Sequence, residues 1–379
     1  MPASADVVVV GGGIVGLCVA HELRSRHLRV IVVERGRCGQ GSTARATGGI
    51  RTQFGAEVNV RLSLRALVHF REWSDRYGGD VGYRPIGYLF LATTPSQVEQ
   101  LRRGVALQRA CGARNRLLDR DEIARCLPGA VLDDVLAGSF GPDDGLGDPG
   151  SATTSLVAAC RRAGVEVRED TPMVDLELRG GRLEGVTTPE GSIAADVAVL
   201  ATGAWTSPIT RTLGLELPIE PHHRQVYRAN AAPGVPGDCP LTVDLGSGVY
   251  FHPDGQGLIF GGGDREGEPG WDDRFHPEEA PRIIELLTRR LPGMTEAELS
   301  GGWAGLREMT PDDLGVVGPL PGIEGIHVAA GFSGHGFMHA PAVGEVVAAM
   351  LCGETPPLDV SALDPARFQR RLRPEAYVF

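Results

Sequence analysis

Three glycines near the N-terminus stand at a spacing that could bind a phosphate group. Gly11, Gly13 and Gly16 follow the all-valine run Val7–Val10 and precede an apolar stretch that reaches about Ser25. Such a set allows a tight turn, close approach of a diphosphate, and close packing of a helix on a strand. The diphosphate would lie at the helix N-terminus, where free amides and the helix dipole favour negative charge.

A second β-branched run ends in an acidic residue. Val30–Val33 is followed directly by Glu34. A carboxylate at this position can accept hydrogen bonds from ribose hydroxyls, and it disfavours a 2′-phosphate. Strand, glycines, helix, strand and acidic residue together predict a βαβ unit that binds a dinucleotide. The unit alone does not distinguish NAD from FAD.

Further elements of a nucleotide-binding domain recur towards the C-terminus. Val197–Ala201 is an apolar strand that leads into a Thr-Gly turn, and His327–Ala330 leads into the C-terminal loop, Gly331–Gly336. A helix is predicted over Pro341–Leu351. By topology the C-terminal loop points back at the cofactor, and a helix N-terminus beneath the pyrimidine end of an isoalloxazine would stabilise reduced flavin. This recurrence favours FAD over NAD.

Two intervening segments have a different, alternating pattern, which indicates a second domain. The sequence therefore predicts an α/β fold, with a Rossmann-type FAD-binding domain plus a second α+β substrate domain that contains a mixed antiparallel sheet. The FAD-binding domain is predicted to comprise residues 1–82, 146–220 and 300–379. The substrate domain is predicted to comprise residues 83–145 and 221–299.

Composition excludes several classes of function. The net charge of −11 argues against nucleic acid as a partner, because phosphate binding needs clustered Lys and Arg. The seven cysteines are scattered singly, which indicates reduced thiols. The chain begins directly with an apolar strand, and no apolar run is long enough to span a bilayer. We therefore expect a soluble, cytoplasmic protein without a membrane span, and the sequence shows no metal-ligand cluster.

Several blocks of the chain, in order and over nearly its whole length, resemble the FAD-dependent amino-acid oxidase superfamily. That superfamily includes D-amino-acid oxidase, glycine oxidase and sarcosine oxidase. The sequence looks most similar to the branch with the sarcosine oxidase β-subunit, L-proline dehydrogenase and dimethylglycine dehydrogenase. Besides the glycine turn, the blocks are Gly48-Gly49-Ile50-Arg51, Gly87–Ala92, Ala201-Thr202-Gly203-Ala204-Trp205, Met309-Thr310-Pro311-Asp312 and Gly331–Phe337.

The resemblance implies which residues bind FAD. They are Gly11, Gly13, Ile14, Val15, Gly16, Glu34, Arg35, Ser42, Thr43, Gly48, Gly49, Val174, Thr202, Gly203, Trp205, Arg307, Gly331, Gly334, His335, Gly336, Phe337 and Met338. Val174 matches a position that contacts adenine through its backbone. We expect a structural role for His335 and a packing role for Trp205.

The resemblance also implies a substrate site built on cations. Arg307 matches a residue that clamps the substrate carboxylate in glycine oxidase-like members, and Arg51 matches an arginine over the flavin in sarcosine oxidase-like members. Tyr250 matches a tyrosine that hydrogen-bonds substrate. Arginine suits this task because its planar fork gives two parallel, charge-assisted hydrogen bonds. The expected reaction is hydride transfer from a carbon beside nitrogen to flavin N5, giving an imine that hydrolyses.

Departures from the family pattern leave alternatives open. Met338 stands where monomeric sarcosine oxidase-like members have a lysine, and no cysteine lies in Gly305–Asp312, where those members tether flavin. We therefore expect non-covalent FAD, with the electron acceptor undecided. The alternatives are a D-amino-acid or glycine oxidase, a flavin-binding subunit of a hetero-oligomeric dehydrogenase, and an NAD(P) dehydrogenase. The sequence is compatible with a homo- or a hetero-oligomer.

Overall fold

A computed structural model describes residues 3–230, 234–262, 267–372 and 374–376 of the chain. The helices are α1 (Ile14–Ser25), α2 (Ser42–Arg45), α3 (Glu57–Arg71), α4 (Trp73–Tyr77), α5 (Pro95–Ala110), α6 (Arg120–Cys126), α7 (Pro149–Ala163), α8 (Thr206–Thr212), α9 (Ala280–Arg290) and α10 (Gly336–Leu351). Among the described residues, no helix combines the length and the apolar character needed to cross a membrane.

The strands form four sheets. They are β1 (Ala3–Ser4), β2 (Val7–Val10), β3 (Val30–Val33), β4 (Gly49–Ile50), β5 (Tyr88–Ala92), β6 (Arg116–Leu118), β7 (Ala137–Gly141), β8 (Gly145–Leu146), β9 (Glu166–Arg168), β10 (Asp175–Arg179), β11 (Arg182–Thr188), β12 (Gly191–Ala194), β13 (Val197–Leu200), β14 (Glu220–Ala229), β15 (Leu241–Asp244), β16 (Val249–Asp254), β17 (Gly257–Gly262), β18 (Leu299–Met309), β19 (Val316–Pro319) and β20 (Ile326–Ala330).

The nucleotide-binding layer is a six-stranded sheet in the order β19-β20-β13-β2-β3-β9. All its neighbours are parallel except the β19–β20 pair. β2 and β3 are buried on both faces because helices cover the sheet, which explains their unbroken valine and isoleucine runs. The carboxyl ends of β2, β13 and β20 meet at one edge, where ligands bind in open α/β sheets. The predicted Rossmann-type layer is confirmed.

A second, eight-stranded sheet has the order β18-β14-β17-β16-β15-β5-β7-β6. It is mixed, because β15 runs parallel to β5 whereas the other pairs are antiparallel. The predicted α/β fold class with a mixed second sheet is therefore confirmed. Two smaller sheets complete the chain: β1-β12-β11-β10 and β4-β8.

The predicted domain boundary at residue 300 falls inside β18. This strand pairs with β14 along its length and belongs to the eight-stranded sheet. We therefore propose that the substrate domain extends to Met309. The outermost predicted ends of the FAD-binding domain, residues 1–2 and 377–379, lie outside the described residues.

The last helix begins earlier than predicted. The sequence places its start at Pro341, whereas α10 starts at Gly336 and contains Pro341. Proline removes one backbone hydrogen bond from a helix interior, which is why it suggested a start. Thirteen residues of α10 are buried, and eight apolar residues among them pack in the same core as α1. Burial of this apolar helix outweighs the lost bond, and its N-terminus is thereby set directly at the C-terminal loop.

Candidate active site

A cavity of about 680 Å³ lies where the carboxyl edge of the six-stranded sheet meets one face of the eight-stranded sheet. It brings together most of the residues that the sequence predicted for the site. From that set, it is lined by Gly11, Gly13, Ile14, Val15, Glu34, Arg35, Ser42, Thr43, Gly48, Gly49, Arg51, Thr202, Gly203, Trp205, Tyr250, Arg307, Gly334, His335, Gly336, Phe337 and Met338.

The glycine turn at the start of α1 has the geometry expected for diphosphate binding. Gly11 has φ of +107°, and a Cβ there would stand 2.4 Å from the carbonyl oxygen of Ala201. A Cβ at Gly16 would stand 2.0 Å from the Gly11 carbonyl oxygen, so helix and strand touch. At Gly13 the nearest atom to such a Cβ is Thr43 Oγ1, at 3.4 Å. This side of the turn is therefore open towards the cavity.

Two neighbouring side chains, Glu34 and Arg35, line the cavity just after β3. Glu34 Oε2 accepts from the Gly12 amide at 2.7 Å, and Oε1 accepts from the Gly36 amide at 2.9 Å. The next residue, Arg35, places its guanidinium carbon 3.7 Å from the ring centroid of Trp205. The indole of Trp205 therefore packs against a cation, and its packing role stays a prediction.

The helix α2 and the segment around Gly48 also line the cavity. The amide of Ile14 donates to Thr43 Oγ1 at 3.1 Å, and Ser42 Oγ donates to the Leu306 carbonyl at 2.9 Å. α2 is therefore held between the glycine turn and β18. Gly48 has φ of +80°, and a Cβ there would meet the Gly147 carbonyl oxygen at 1.9 Å.

Three predicted cofactor residues do not line the cavity. They are Gly16, which packs on Gly11, Gly331, which packs on Thr310 and Ile219, and Val174, which directly precedes β10. The amide of Val174 donates to Thr187 at 2.8 Å, and its side chain is 63% exposed. Pro172 and Met173 form the wall at this point instead. The contact of Val174 with adenine stays a prediction.

The C-terminal loop enters the cavity in a constrained conformation. Ser333 has φ of +50°, which is uncommon for a residue with a side chain. Its amide donates to the Glu308 carbonyl at 2.9 Å, and its Oγ accepts from the Thr310 amide at 3.1 Å. β18 therefore imposes the loop shape. The following residues begin α10, so free amides and the positive end of a 16-residue helix face the cavity.

Arg51 and His335 are in direct contact in this wall. Nη2 of Arg51 lies 3.2 Å from Nε2 of His335, and Nη1 donates to the Gln53 carbonyl at 2.7 Å. Burial and the charge of Arg51 hold the pKa of His335 well below its ordinary value. A neutral histidine can accept from Arg51, and the structural role of His335 stays a prediction.

A buried polar network positions Arg51 behind β4. Asp144 accepts from the amide and the hydroxyl of Thr52, at 2.8 and 2.9 Å, and from Gln53 Nε2 at 3.2 Å. Burial raises the pKa of Asp144 to about 6. The guanidinium carbon of Arg51 lies 4.2 Å from the ring centroid of Phe54. The two residues that follow Arg51, Thr52 and Gln53, are thus held by Asp144, and the Arg51 guanidinium packs on Phe54.

Tyr250 reaches the cavity across the eight-stranded sheet. Residues directly opposite on antiparallel strands project to the same face. Tyr250 is opposite Gly261, which is itself opposite Val226. A Cβ at Gly261 would stand 2.7 Å from the Tyr250 hydroxyl oxygen. The missing side chain therefore makes room for the tyrosine ring to lie over the sheet.

Arg307 shares that face at the edge of the sheet. It is opposite His222 in the register of β18 and β14. A Cβ at Gly334 would stand 2.8 Å from Arg307 Nε, so the side chain lies against the C-terminal loop. Arg51 contacts the next loop residue. Burial raises the pKa of Tyr88, and the charges of Arg51 and Arg307 oppose this effect. Arg51 and Arg307, the two arginines predicted to bind the substrate carboxylate, therefore converge on one part of the cavity.

The sequence analysis did not assign every lining residue to the site, and among those it missed are Arg45, Tyr88, Arg224 and Glu308. Tyr88 lies inside a block that carries the family resemblance, which was a usable signal. Arg224 is opposite Gly305, two residues from Arg307, and the stem of Arg45 lies over that same glycine. These positions depend on strand register, which spacing in the sequence does not give.

One group of residues among the described parts of the chain could hold a metal ion, away from the cavity. Oxygen and nitrogen atoms of Glu22, His69 and Glu345 lie within 4.8 Å of one another. Arg65 already clamps Glu345 at 2.6 and 3.0 Å, and Arg26 pairs with Glu22 at 3.1 Å. Each carboxylate thus has a cationic partner, and we assign no metal to this group.

The residues present fit an FAD molecule. The turn at Gly11–Gly16 leaves room for a diphosphate at a helix N-terminus, and Glu34 is fixed at the end of β3 for the adenosine ribose. The helix N-terminus at Gly336 offers amides at the opposite end of the cavity. This pair of helix N-termini suits a dinucleotide whose second half can carry negative charge.

Comparisons with known proteins agree with this geometry. Mitochondrial dimethylglycine dehydrogenase of Rattus norvegicus is 28% identical over 385 residues, which cover 96% of this chain and 45% of that protein. The chain spans less than half of the length of the mammalian dehydrogenases that it matches. Glycine oxidase of Geobacillus kaustophilus is 29% identical, with 90% of this chain and 92% of that protein covered.

A solved structure shares the whole fold. L-proline dehydrogenase from P. horikoshii superimposes with a TM-score of 0.92 at 33% sequence identity, and the alignment covers 98% of this chain and 100% of that one. The family model for DAO, FAD dependent oxidoreductase, matches residues 6–350. This chain therefore belongs to the DAO family of FAD-dependent oxidoreductases, and FAD is its cofactor.

Proposed function

We propose that this protein oxidises the C–N bond of an amino acid or an N-alkyl amino acid. The observation that carries the proposal is the convergence of Arg51 and Arg307 on consecutive residues of the C-terminal loop. Bound FAD supplies the acceptor for a hydride that leaves the α-carbon or an N-alkyl carbon. The substrate is left as an imine, which water hydrolyses.

The protein's own residues bind and orient the substrate. Arg307 and Arg51 can each give a carboxylate a fork of N–H donors, and Tyr250 adds a hydroxyl. Held by its carboxylate, an amino acid presents one C–H bond in a fixed direction, which lowers the entropic part of the barrier. The apolar side chains of Leu241 and Val243 limit water on the sheet side of the cavity.

No side chain of the wall needs to act as a strong base. Nε2 of His335 is already engaged by Arg51, and its pKa is held low. A protonated substrate amine cannot release a hydride from the adjacent carbon, so the neutral amine must bind or form in the site. We therefore expect activity to rise with pH.

The relatives support two candidate substrate classes, which differ in the substitution of the amine. Similarity to dimethylglycine dehydrogenase and L-proline dehydrogenase favours a secondary or tertiary amine. Similarity to glycine oxidase favours a primary amine, which is the second candidate. Rates with matched primary and N-methylated amino acids distinguish them.

A further version is a flavin-binding subunit of a hetero-oligomeric dehydrogenase. This chain covers less than half of the length of its mammalian relatives, which is compatible with a subunit of a larger enzyme. Gel filtration combined with the activity of the isolated chain tests it. The single cysteines also lead us to propose a reducing compartment such as the cytoplasm.

The experiment that tests the proposal begins with the absorption spectrum of the purified protein. An amine substrate is then sought by anaerobic bleaching of that spectrum, with amino acids, N-methyl amino acids and their decarboxylated analogues. We expect bleaching only by substrates with a carboxylate. Bleaching by nicotinamide dinucleotides alone, or equal bleaching by the decarboxylated amines, would contradict the proposal.

A further inference from the structure

Glu308 is a cavity-wall carboxyl that no step above uses. It is adjacent to Arg307 on β18, and because side chains alternate along a strand, it projects to the opposite face. There it meets the nucleotide-binding domain. A Cβ at Gly203 would stand 2.7 Å from its Oε2, and one at Gly336 would stand 3.8 Å from its Oε1. The carboxyl group therefore lies between two segments that line the FAD site.

The carboxyl group ties the C-terminal loop to β18. Oε1 accepts from the amide of Phe332 at 3.2 Å. The carbonyl oxygen of Glu308 also accepts from Ser333, the residue with the left-handed conformation. One residue thus holds two consecutive amides of the loop. Strained backbone persists only where surrounding contacts fix it, and Glu308 supplies two of those contacts.

The second oxygen of this carboxyl group is unsatisfied. Oε2 is buried, although the residue as a whole is partly open to the cavity, and it has no hydrogen-bond partner among the described residues. A buried, unpartnered oxygen disfavours the charged form of the group. Burial raises the pKa of Glu308 to about 7, against the opposite effect of the Phe332 and Gly331 amides.

Few charged groups surround Glu308. The C-terminal loop contributes His335, which is neutral. On β14 the residue opposite is Pro221, and its neighbours Glu220 and His222 alternate to the other face together with Arg307. The turn after β13 contributes only Gly203. Of the residues named here, only Glu308 can carry a charge on this face of β18.

We propose that Glu308 is a positioning residue for the cofactor: its carboxyl group secures the C-terminal loop beside the flavin, and it takes up a proton when the flavin becomes negatively charged. Reduction by substrate brings a hydride, with two electrons and one proton, to the flavin. The additional proton comes from solvent and forms the O–H bond of Glu308. The inference depends on the FAD dependence of the family and not on the substrate class proposed above.

The sign of the effect follows from the neighbouring charge. A negative flavin disfavours a carboxylate beside it, so reduction raises the pKa of Glu308 above about 7. Between the two pKa values the group is charged before reduction and neutral afterwards. Below that window it is already protonated and takes up nothing further.

The test is a redox titration of the FAD-loaded protein with a chemical reductant over a range of pH. Between about pH 7 and the raised pKa of the reduced state, the parent should take up about one additional proton per flavin. Glu308→Gln, which is neutral throughout, should lack this proton while it keeps the loop contact. Asp313→Asn is the matched control, because burial raises the pKa of Asp313 to about 6 but the residue does not line the cavity. The same proton count in the parent and in Glu308→Gln would overturn the proposal.

A second measurement addresses the loop contact. Apoprotein of Glu308→Ala should bind FAD about tenfold more weakly or worse, whereas Glu308→Gln should bind within a few-fold of the parent. Equal affinity of Glu308→Ala and the parent would refute the positioning role. If no variant folds, infrared difference spectra of the parent decide the question: reduction should add a protonated-carboxyl band, and its absence counts against the proposal.

Discussion

Nη2 of Arg51 lies 3.2 Å from Nε2 of His335. A guanidinium can only donate hydrogen bonds, so this nitrogen must be the unprotonated one, and the proton of the neutral ring is on Nδ1. The contact joins a proposed substrate ligand to the C-terminal loop, which we propose to face the flavin. Any change at His335 should therefore disturb the substrate site and the cofactor site together.

Acid should destabilise the fold through buried histidines of this region. Burial and the charge of Arg51 lower the pKa of His339 to about 3. The unfolded chain binds a proton on this residue below about pH 6.5, whereas the folded chain does not until far lower. The contribution to stability is therefore complete above about pH 6.5 and is lost as the pH falls towards 3.

Urea unfolding at a series of pH values measures this effect. In His339→Gln the free energy of unfolding should depend on pH less steeply, by about one proton over this window. His276 serves as the control. Asp272 and Glu278 raise its pKa, so this residue should change the pH dependence of the unfolding free energy in the opposite direction. An unchanged slope in His339→Gln would show that the residue is solvated or protonated in the native state.

Loss of Arg307 should impair turnover of amino acids. We expect Arg307→Ala to lower kcat/KM by about 30- to 1,000-fold, which corresponds to a paired arginine in a partly dry cleft. Arg307→Lys should lose much of this, because a point charge cannot reproduce the fork. The effect should shrink for amines that lack a carboxylate. Arg228→Ala, on the neighbouring strand and outside the cavity wall, is the control.

One outcome would contradict the assignment of Arg307 as the residue that binds the substrate carboxylate. If Arg307→Ala turned over amino acids within a few-fold of the parent while it retained FAD, Arg307 would be an ordinary interdomain residue.

Tyr250→Phe should have a smaller effect. It removes one neutral hydroxyl, worth roughly 1 kcal/mol or about fivefold in kcat/KM. The ring should stay in place, because Gly261 leaves it the same space over the sheet. Steady-state kinetics with the same substrate check this, with Tyr83→Phe outside the cavity as the control. A loss as large as that of Arg307→Ala would instead assign Tyr250 a role in the chemical step.

A bulky side chain at Gly13 should abolish retention of FAD. The space beside this glycine faces the cavity, and a side chain there would occupy the place of the diphosphate. The flavin absorbance of purified Gly13→Val measures the loss. Gly237→Val, with room for a Cβ away from the cavity, should stay yellow. A yellow Gly13→Val protein would mean that the dinucleotide takes another path.

FAD should leave the protein on acid precipitation. No cysteine lies in Gly305–Asp312, so the expected attachment is non-covalent. The supernatant after precipitation should contain the flavin, and the pellet should be colourless. Flavin that remained with the pellet would point to a covalent link through another residue.

Local features of the sequence were sufficient for the nucleotide-binding elements. The predicted strands at Val7–Val10 and Val30–Val33 are present without a shift, and the intervening helix ends at Ser25 as predicted. These elements depend on contiguous apolar runs, on glycines with a fixed role in one turn, and on helix and strand periodicities. Arg51 and Arg307 were predicted as substrate residues from local similarity to the family, which also depends on short stretches of sequence.

Only the tertiary structure decided which residues of distant strands lie opposite one another. Strand register, formed between segments far apart in the chain, placed Arg224 beside Gly305 and gave β18 to the eight-stranded sheet. Packing of α10 in the core set its start at Gly336 despite Pro341. The environment of Glu308 is the clearest case. A glutamate in a strand is ordinarily exposed, and only the closure of two sheets over its carboxyl group buries it and shifts its pKa.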